Sequence, residues 1–254
     1  MNAKLQKSSM CRILFFLFLC VAGQCVSTVA IAGPPFQTDD PEPVDYHHWE
    51  FYLASIQEYL SNETDLTLPH IEINYGAIPN LQLHLLAPME YLNGMDGPKY
   101  GYSSTELGIK YRFLNDTDHK LEVGIFPLAE LPTGDRSDGL NSGSTQVYLP
   151  LWIQKNWEKF STYGGAGYWL NPGAGNKNWI FAGWELQYDI SDAVTVGGEV
   201  FYHTPESLGA SSSAGFNIGG FINLDDHDHI LYSVGHSITG DASTTVYIGY
   251  QYTI

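Results

Sequence analysis

The chain has 254 residues and a formal charge of −17, from 28 acids set against 11 Lys and Arg. That balance argues against a nucleic-acid partner, because no basic patch is present to neutralise phosphates. Only 15% of residues are charged, against roughly 25% in ordinary soluble domains. Aromatics reach 14%, with 17 tyrosines, and 26 glycines accompany them. With no helical span, that mixture suits a β-barrel whose outer wall meets lipid.

The first element is the stretch MNAKLQKSSMCRILFFLFLCVAGQCVSTVAIAG. Lys4, Lys7 and Arg12 give a positive start, an apolar run over 13–22 follows, and Ala30-Ile31-Ala32 places small residues before a cut at Gly33. The run is shorter than the roughly 20 residues of a spanning helix. Residues 1–32 are therefore expected to be a cleaved secretory signal. Cys11, Cys20 and Cys25 all lie within it, leaving a mature chain without disulfides. Gln24 is a poor neighbour for a lipid-modified Cys25. Loss of the signal removes three positive charges and no negative one, taking the net charge from −17 to −20.

Residues 33–45, GPPFQTDDPEPVD, hold four prolines and four acids. They suit neither a helix nor a central strand. Either a tail outside the barrel or a small plug entering its lumen is compatible with that composition.

From Tyr46 onward apolar residues alternate with polar or small ones at period two, the strand signature. Ile71, Ile73 and Tyr75 oppose Glu72, Asn74 and Gly76; Leu107, Ile109, Tyr111 and Phe113 oppose Glu106, Gly108, Lys110 and Arg112. Leu121, Val123 and Ile125 oppose Glu122 and Gly124, and Ile180, Ala182, Trp184, Leu186 and Tyr188 oppose Gly183, Glu185, Gln187 and Asp189. Twelve segments are predicted, near 47–60, 66–76, 81–91, 104–113, 120–131, 146–154, 160–170, 178–190, 194–204, 214–224, 229–238 and 244–254. Each is about long enough to cross a bilayer core as a tilted strand.

Connections sharpen the assignment. AIPN, LNDTDH, KNWEK, SDA and DDHD are short, whereas NGMDGPKYGYS, PTGDRSDGLNSGST and PESLGASSS are long and rich in Gly, Ser and Pro. Short periplasmic turns and longer external loops characterise outer-membrane barrels. Closure follows physically, since an open edge in lipid leaves backbone groups unpaired. Trp49, Tyr75, Phe113, Phe160, Tyr188 and Tyr252 fall at the expected periplasmic boundary, as an aromatic girdle would. The last strand, TTVYIGYQYTI, resembles those presented to the barrel assembly machinery, although it ends in Ile254 rather than Phe or Trp.

If apolar faces meet lipid, the lumen receives Glu72, Asn74, His84, Glu106, Lys110, Arg112, Glu122, Glu185, Gln187 and Glu199 as candidate pore-lining residues. Acids dominate this set, which favours cations or neutral polar solutes if water runs through. The alternative is a packed interior in which Lys110 and Arg112 hold the carboxylates. The Asp225–His229 turn offers oxygen and imidazole groups, but a metal requires three or four converging ligands; no metal or cofactor is expected. No serine lies two residues from a histidine, so a same-strand Ser–His pair of a barrel lipase is absent, and no enzyme is expected.

The stretches GPPFQTDDPEPVDYHHWEFYLAS, LPHIEINYGAIPNLQLHLLAP, STELGIKYRF, LPLWIQKNW, TYGGAGYWLNPG and VGGEVFYHTPE resemble a family of bacterial outer-membrane transporters. That family is linked in name to the meta-cleavage pathway of phenol degradation. The resemblance implies an outer-membrane barrel passing small solutes, among them aromatic or other small organic compounds. It supplies no catalytic or binding residues. A barrel without transport, enzymatic or structural, is the alternative.

Overall fold

The computed structural model describes residues 34–61, 63–94, 97–134, 139–141 and 143–254. The expected signal peptide lies outside the described residues. Fourteen strands are described: β1 Trp49–Leu60, β2 Thr64–Ile78, β3 Leu81–Gly94, β4 Gly97–Tyr102, β5 Thr105–Asp116, β6 Leu121–Ile125 and β7 Leu128–Leu131 come first. β8 Gln146–Trp157, β9 Phe160–Leu170, β10 Trp179–Ser191, β11 Val194–His203, β12 Ser213–Asn223, β13 Asp228–Thr239 and β14 Ser243–Thr253 complete them.

Every pairing between these strands is antiparallel, and β1 pairs with both β2 and β14, from Glu50 opposite Thr253 to Leu60 opposite Ser243. The sheet is closed. β4 and β5 both pair with β3, and β6 and β7 both pair with β5 and β8. Each of these two couples occupies a single place in the wall, which therefore has twelve strands. The predicted 120–131 strand is interrupted at Phe126-Pro127, where a proline cannot donate to the ladder. The Ile109 N–H donates to the Pro127 carbonyl at 3.1 Å and bridges the break. Residues 97–102, read from sequence as loop, instead extend the ladder beside Met89–Gly94.

Outside, the period-two pattern gives a continuous apolar belt. Leu107, Ile109 and Tyr111 are 45%, 46% and 42% exposed, whereas Lys110 between them is 4% exposed. At the terminus end of the wall, where β1 begins and β14 finishes, Trp49 stacks on Tyr75 with centroids 4.2 Å apart, and Phe160 meets Tyr188 at 4.7 Å. Tyr59, Tyr100, Tyr102, Tyr168 and Tyr202 form a second exposed aromatic set towards the long loops. Apolar wall between two aromatic girdles is the arrangement a bilayer demands of a barrel.

Inside, the wall carries polar groups together with two aromatic clusters. Tyr52, Ala54, Phe221, Leu231 and Tyr247 form one; Phe126, Tyr148, Trp152 and Phe181 form the other.

Candidate functional site in the barrel lumen

The segment 34–45 runs inside the barrel. Its contacts reach strands on opposite sides of the wall. The Glu199 carboxylate of β11 accepts from the Gln37 and Thr38 N–H groups, each at 2.8 Å, and the Val44 N–H donates to Gln82 Oε1 of β3 at 2.9 Å. Ser233 Oγ of β13 donates to the Pro35 carbonyl at 2.7 Å, and Gln154 of β8 reaches Glu42 at 3.3 Å. Thr38 and Asp40 are fully buried. The proline content explains the conformation. A chain lacking donors at positions 34, 35, 41 and 43 cannot join a ladder, so side chains of the wall satisfy it instead.

Two cations anchor it. Lys110 Nζ lies 2.9 Å from Asp39 Oδ1 and 3.6 Å from Asp40 Oδ1. Arg112 Nη1 lies 2.6 Å from Glu122 Oε2 and 3.7 Å from Glu42 Oε1, while its Nε and Nη2 donate to Asn80 Oδ1. Lys110 and Arg112 thus serve the inserted segment as well as the wall. Two wall glycines make room for it. A side chain at Gly183 would collide with Thr38 Oγ1, and one at Gly76 with the Asp45 carbonyl.

A second network runs along β2, β3 and β5. Asn74 Nδ2 donates to Glu72 Oε1 at 2.8 Å, and His84 Nδ1 stands 2.8 Å from Asn74 Oδ1. His84 Nε2 lies 3.0 Å from Glu106 Oε1, and His70 Nε2 lies 3.7 Å from Glu72. A third set joins Gln187 Nε2 to the Tyr163 hydroxyl and Glu185, at 2.9 and 2.8 Å. Asn217 Nδ2 donates to Glu199 at 2.5 Å.

All ten candidate lining residues therefore face the interior, and they meet in hydrogen-bonded groups. The sequence reading missed the segment's own Asp39, Asp40 and Glu42 as partners of Lys110 and Arg112. It also missed inward-facing rings. Tyr148 stacks on Trp169 at 4.7 Å, Trp169 on Trp179 at 5.2 Å, and Phe181 on Phe201 at 6.3 Å. Parity could have found Phe181, which shares a face with Gly183 and Glu185.

Towards the long loops the interior opens into a cavity of about 440 Å³. Gln37 of the inserted segment is among its lining residues, as are Trp179, Phe201 and Glu206. In the Asp225–His229 turn, Asp225 Oδ1 accepts from the His227 and Asp228 N–H groups at 2.8 and 2.9 Å. The backbone bond from His227, then that from Asp228, hold its carboxyl below the ordinary range. His227 Nδ1 lies 2.7 Å from the Thr253 carbonyl and His229 Nδ1 lies 2.9 Å from Asn223 Oδ1. These groups build the turn. Among the described residues no cluster of His, Cys, Asp and Glu converges as a metal would require.

No family profile and no curated protein sequence matches the chain. Solved structures do. An outer-membrane channel from Pseudomonas putida F1 aligns with a TM-score of 0.72 at 13% identity, covering 85% of this chain and 98% of that one. The KdgM porin, solved in complex with disordered oligogalacturonate, aligns at 0.53 and 13% identity over 79% and 98%. The translocator domain of the autotransporter NalP from Neisseria meningitidis aligns at 0.55 and 12% identity over 82% and 89%. At such identities the likeness establishes architecture: this chain folds as a twelve-stranded barrel of the outer-membrane type.

Proposed function

We propose that the chain is a bacterial outer-membrane channel for passive passage of small molecules, exported through the secretory pathway and embedded in lipid by its apolar belt. The observation that carries this reading is a closed barrel, apolar outside, whose polar interior opens into a cavity at the long-loop end. Solved barrels of this architecture include a channel and a porin. The segment 34–45 would be the closing element of the passage, since it fills the lumen on the terminus side of the cavity. Passage would then require it to shift, with Lys110, Arg112 and Glu199 releasing their partners. Glu72, Glu106, Glu122, Glu185 and Glu199 would give the opened path a preference for cations. Aromatic or other small organic compounds are the solutes that the family resemblance suggests.

Planar-bilayer recording of the refolded mature chain, beside a variant lacking residues 34–45, tests this. Discrete conductance that grows in the shortened variant is expected. If neither protein conducts, the alternative of a non-transporting barrel replaces the channel reading.

A further inference from the structure

The loop-end cavity has two unlike sides. β10 and β11 supply rings: Trp179, Phe181, Phe201 and His203. Phe181 and Phe201 lie nearly parallel, 20° apart, and Trp179 is nearly coplanar in orientation with Trp169 at 9°. The other side, from β12 through β14 to β1, carries hydroxyls such as Ser237, Ser243 and Thr245, with Glu58 on β1 and Asp241 in the β13–β14 turn. Glu206, in the loop after β11, completes a set of three carboxylates, and no Lys or Arg is among the described lining residues.

Among the described residues these carboxylates have little counter-charge of their own. His203 Nδ1 stands 3.4 Å from Glu206 Oε1 and, when protonated, offsets one of them. His236 Nδ1 is 3.0 Å from Thr244 Oγ1. Burial raises the Glu206 carboxyl above its ordinary range; His203 opposes that, and the Glu58 charge adds to it. A visiting cation would relieve that crowding. An anion would worsen it.

We propose that this cavity is a binding site for a small organic cation: an ammonium ion on an aromatic or compact alkyl body. This deepens the channel reading by naming a solute class for its outer chamber. Flat π-faces attract both an apolar body and a positive charge, and a desolvated site strengthens that attraction. Carboxylates at the opposite side supply the complementary field and accept hydrogen bonds from the ammonium group. The cavity's 440 Å³ lies within the usual size of small-molecule pockets, about 300–1,000 Å³.

Titration calorimetry on the refolded mature chain in detergent, at neutral pH and low salt, provides the test. Three probes share a ring and differ in charge: benzylammonium, benzyl alcohol and benzoate. Benzylammonium should bind saturably, about tenfold or more tighter than benzyl alcohol, with benzoate giving no binding. Glu206→Gln, in a loop outside the wall, should weaken benzylammonium several-fold, and Glu58→Gln with Asp241→Asn should weaken it further. Phe201→Leu should weaken benzylammonium and benzyl alcohol together. Equal binding of the alcohol, binding of benzoate, absence of binding, or full affinity in the Glu58→Gln, Glu206→Gln, Asp241→Asn variant would each overturn the site. Because calorimetry needs no current, a conducting barrel that ignores benzylammonium sinks this proposal alone. A silent barrel that binds it sinks the channel reading instead.

Discussion

The two halves of the lumen use similar residues to opposite ends. On the terminus side, carboxylates are matched by Lys110, Arg112 and backbone N–H groups, and residues 34–45 run through the interior. On the loop side, Glu58, Glu206 and Asp241 line a cavity with no Lys or Arg among its described lining residues, opposite a set of rings. The same acidic composition is thus structural where cations and donors meet it, and available to a visitor where they do not. Net charge alone could not distinguish these roles. Placement of two cations one turn of the pleat apart on β5 does.

The comparison can be broken most forcefully by emptying the filled half. Deleting residues 34–45 should raise single-channel conductance several-fold while leaving the ring face of the loop-side cavity in place; an unchanged current would mean that the segment is not the barrier. Gly183→Val should act in the same direction without touching a charge, because its side chain would occupy the space of Thr38. Lys110→Met comes next in size. Breaking a buried pair by removing one partner costs about 3–5 kcal/mol, so the segment should loosen. A cysteine placed at Thr38 should then react with aqueous thiol reagents far faster than in the parent.

A substitution on the outer face provides the contrast. Ile109→Lys should cost about 2–4 kcal/mol if it sits near the midplane, read as a lower denaturation midpoint in lipid with conductance unaltered. An unchanged midpoint for Ile109→Lys would remove the lipid-facing assignment. The smallest effect is expected from Glu106→Gln, which leaves the Arg112–Glu122 pair intact. Cation preference should fall modestly in dilute salt, and the difference should vanish near 1 M, where screening acts over about 3 Å.

The wall was legible because a barrel apolar outside and polar inside enforces alternation. Leu107, Ile109 and Tyr111 had to face outward together, and they do. What escaped had no such local constraint. Residues 34–45 have no periodicity, and their partners are remote in sequence: Glu199 lies 162 positions from Gln37, and Ser233 lies 198 from Pro35. No local pattern could choose between tail and plug. The inward rings were hidden by the rule that located the wall, since an apolar residue was taken to point outward. Trp152 and Phe181 are buried by the closing of the barrel, and their parity with Gln154 and Glu185 was the available signal. β4 was read as loop because GPKYGY looks like turn chemistry, whereas its ladder comes from the neighbouring β3.

The inserted segment also sets a problem of timing. It precedes β1 in the chain, and β1 must find β14, which is made after the other thirteen described strands, to seal the seam. Its anchors on β11 and β13 likewise arrive late. The occupant is therefore synthesised before most of its container, and its lodging depends on contacts of very long sequence separation, the kind that form slowly. A cyclic wall can seal around a tethered guest that is already inside. Once β1 and β14 are zipped, the chain leading from residue 45 into β1 leaves only the terminus end as a way in.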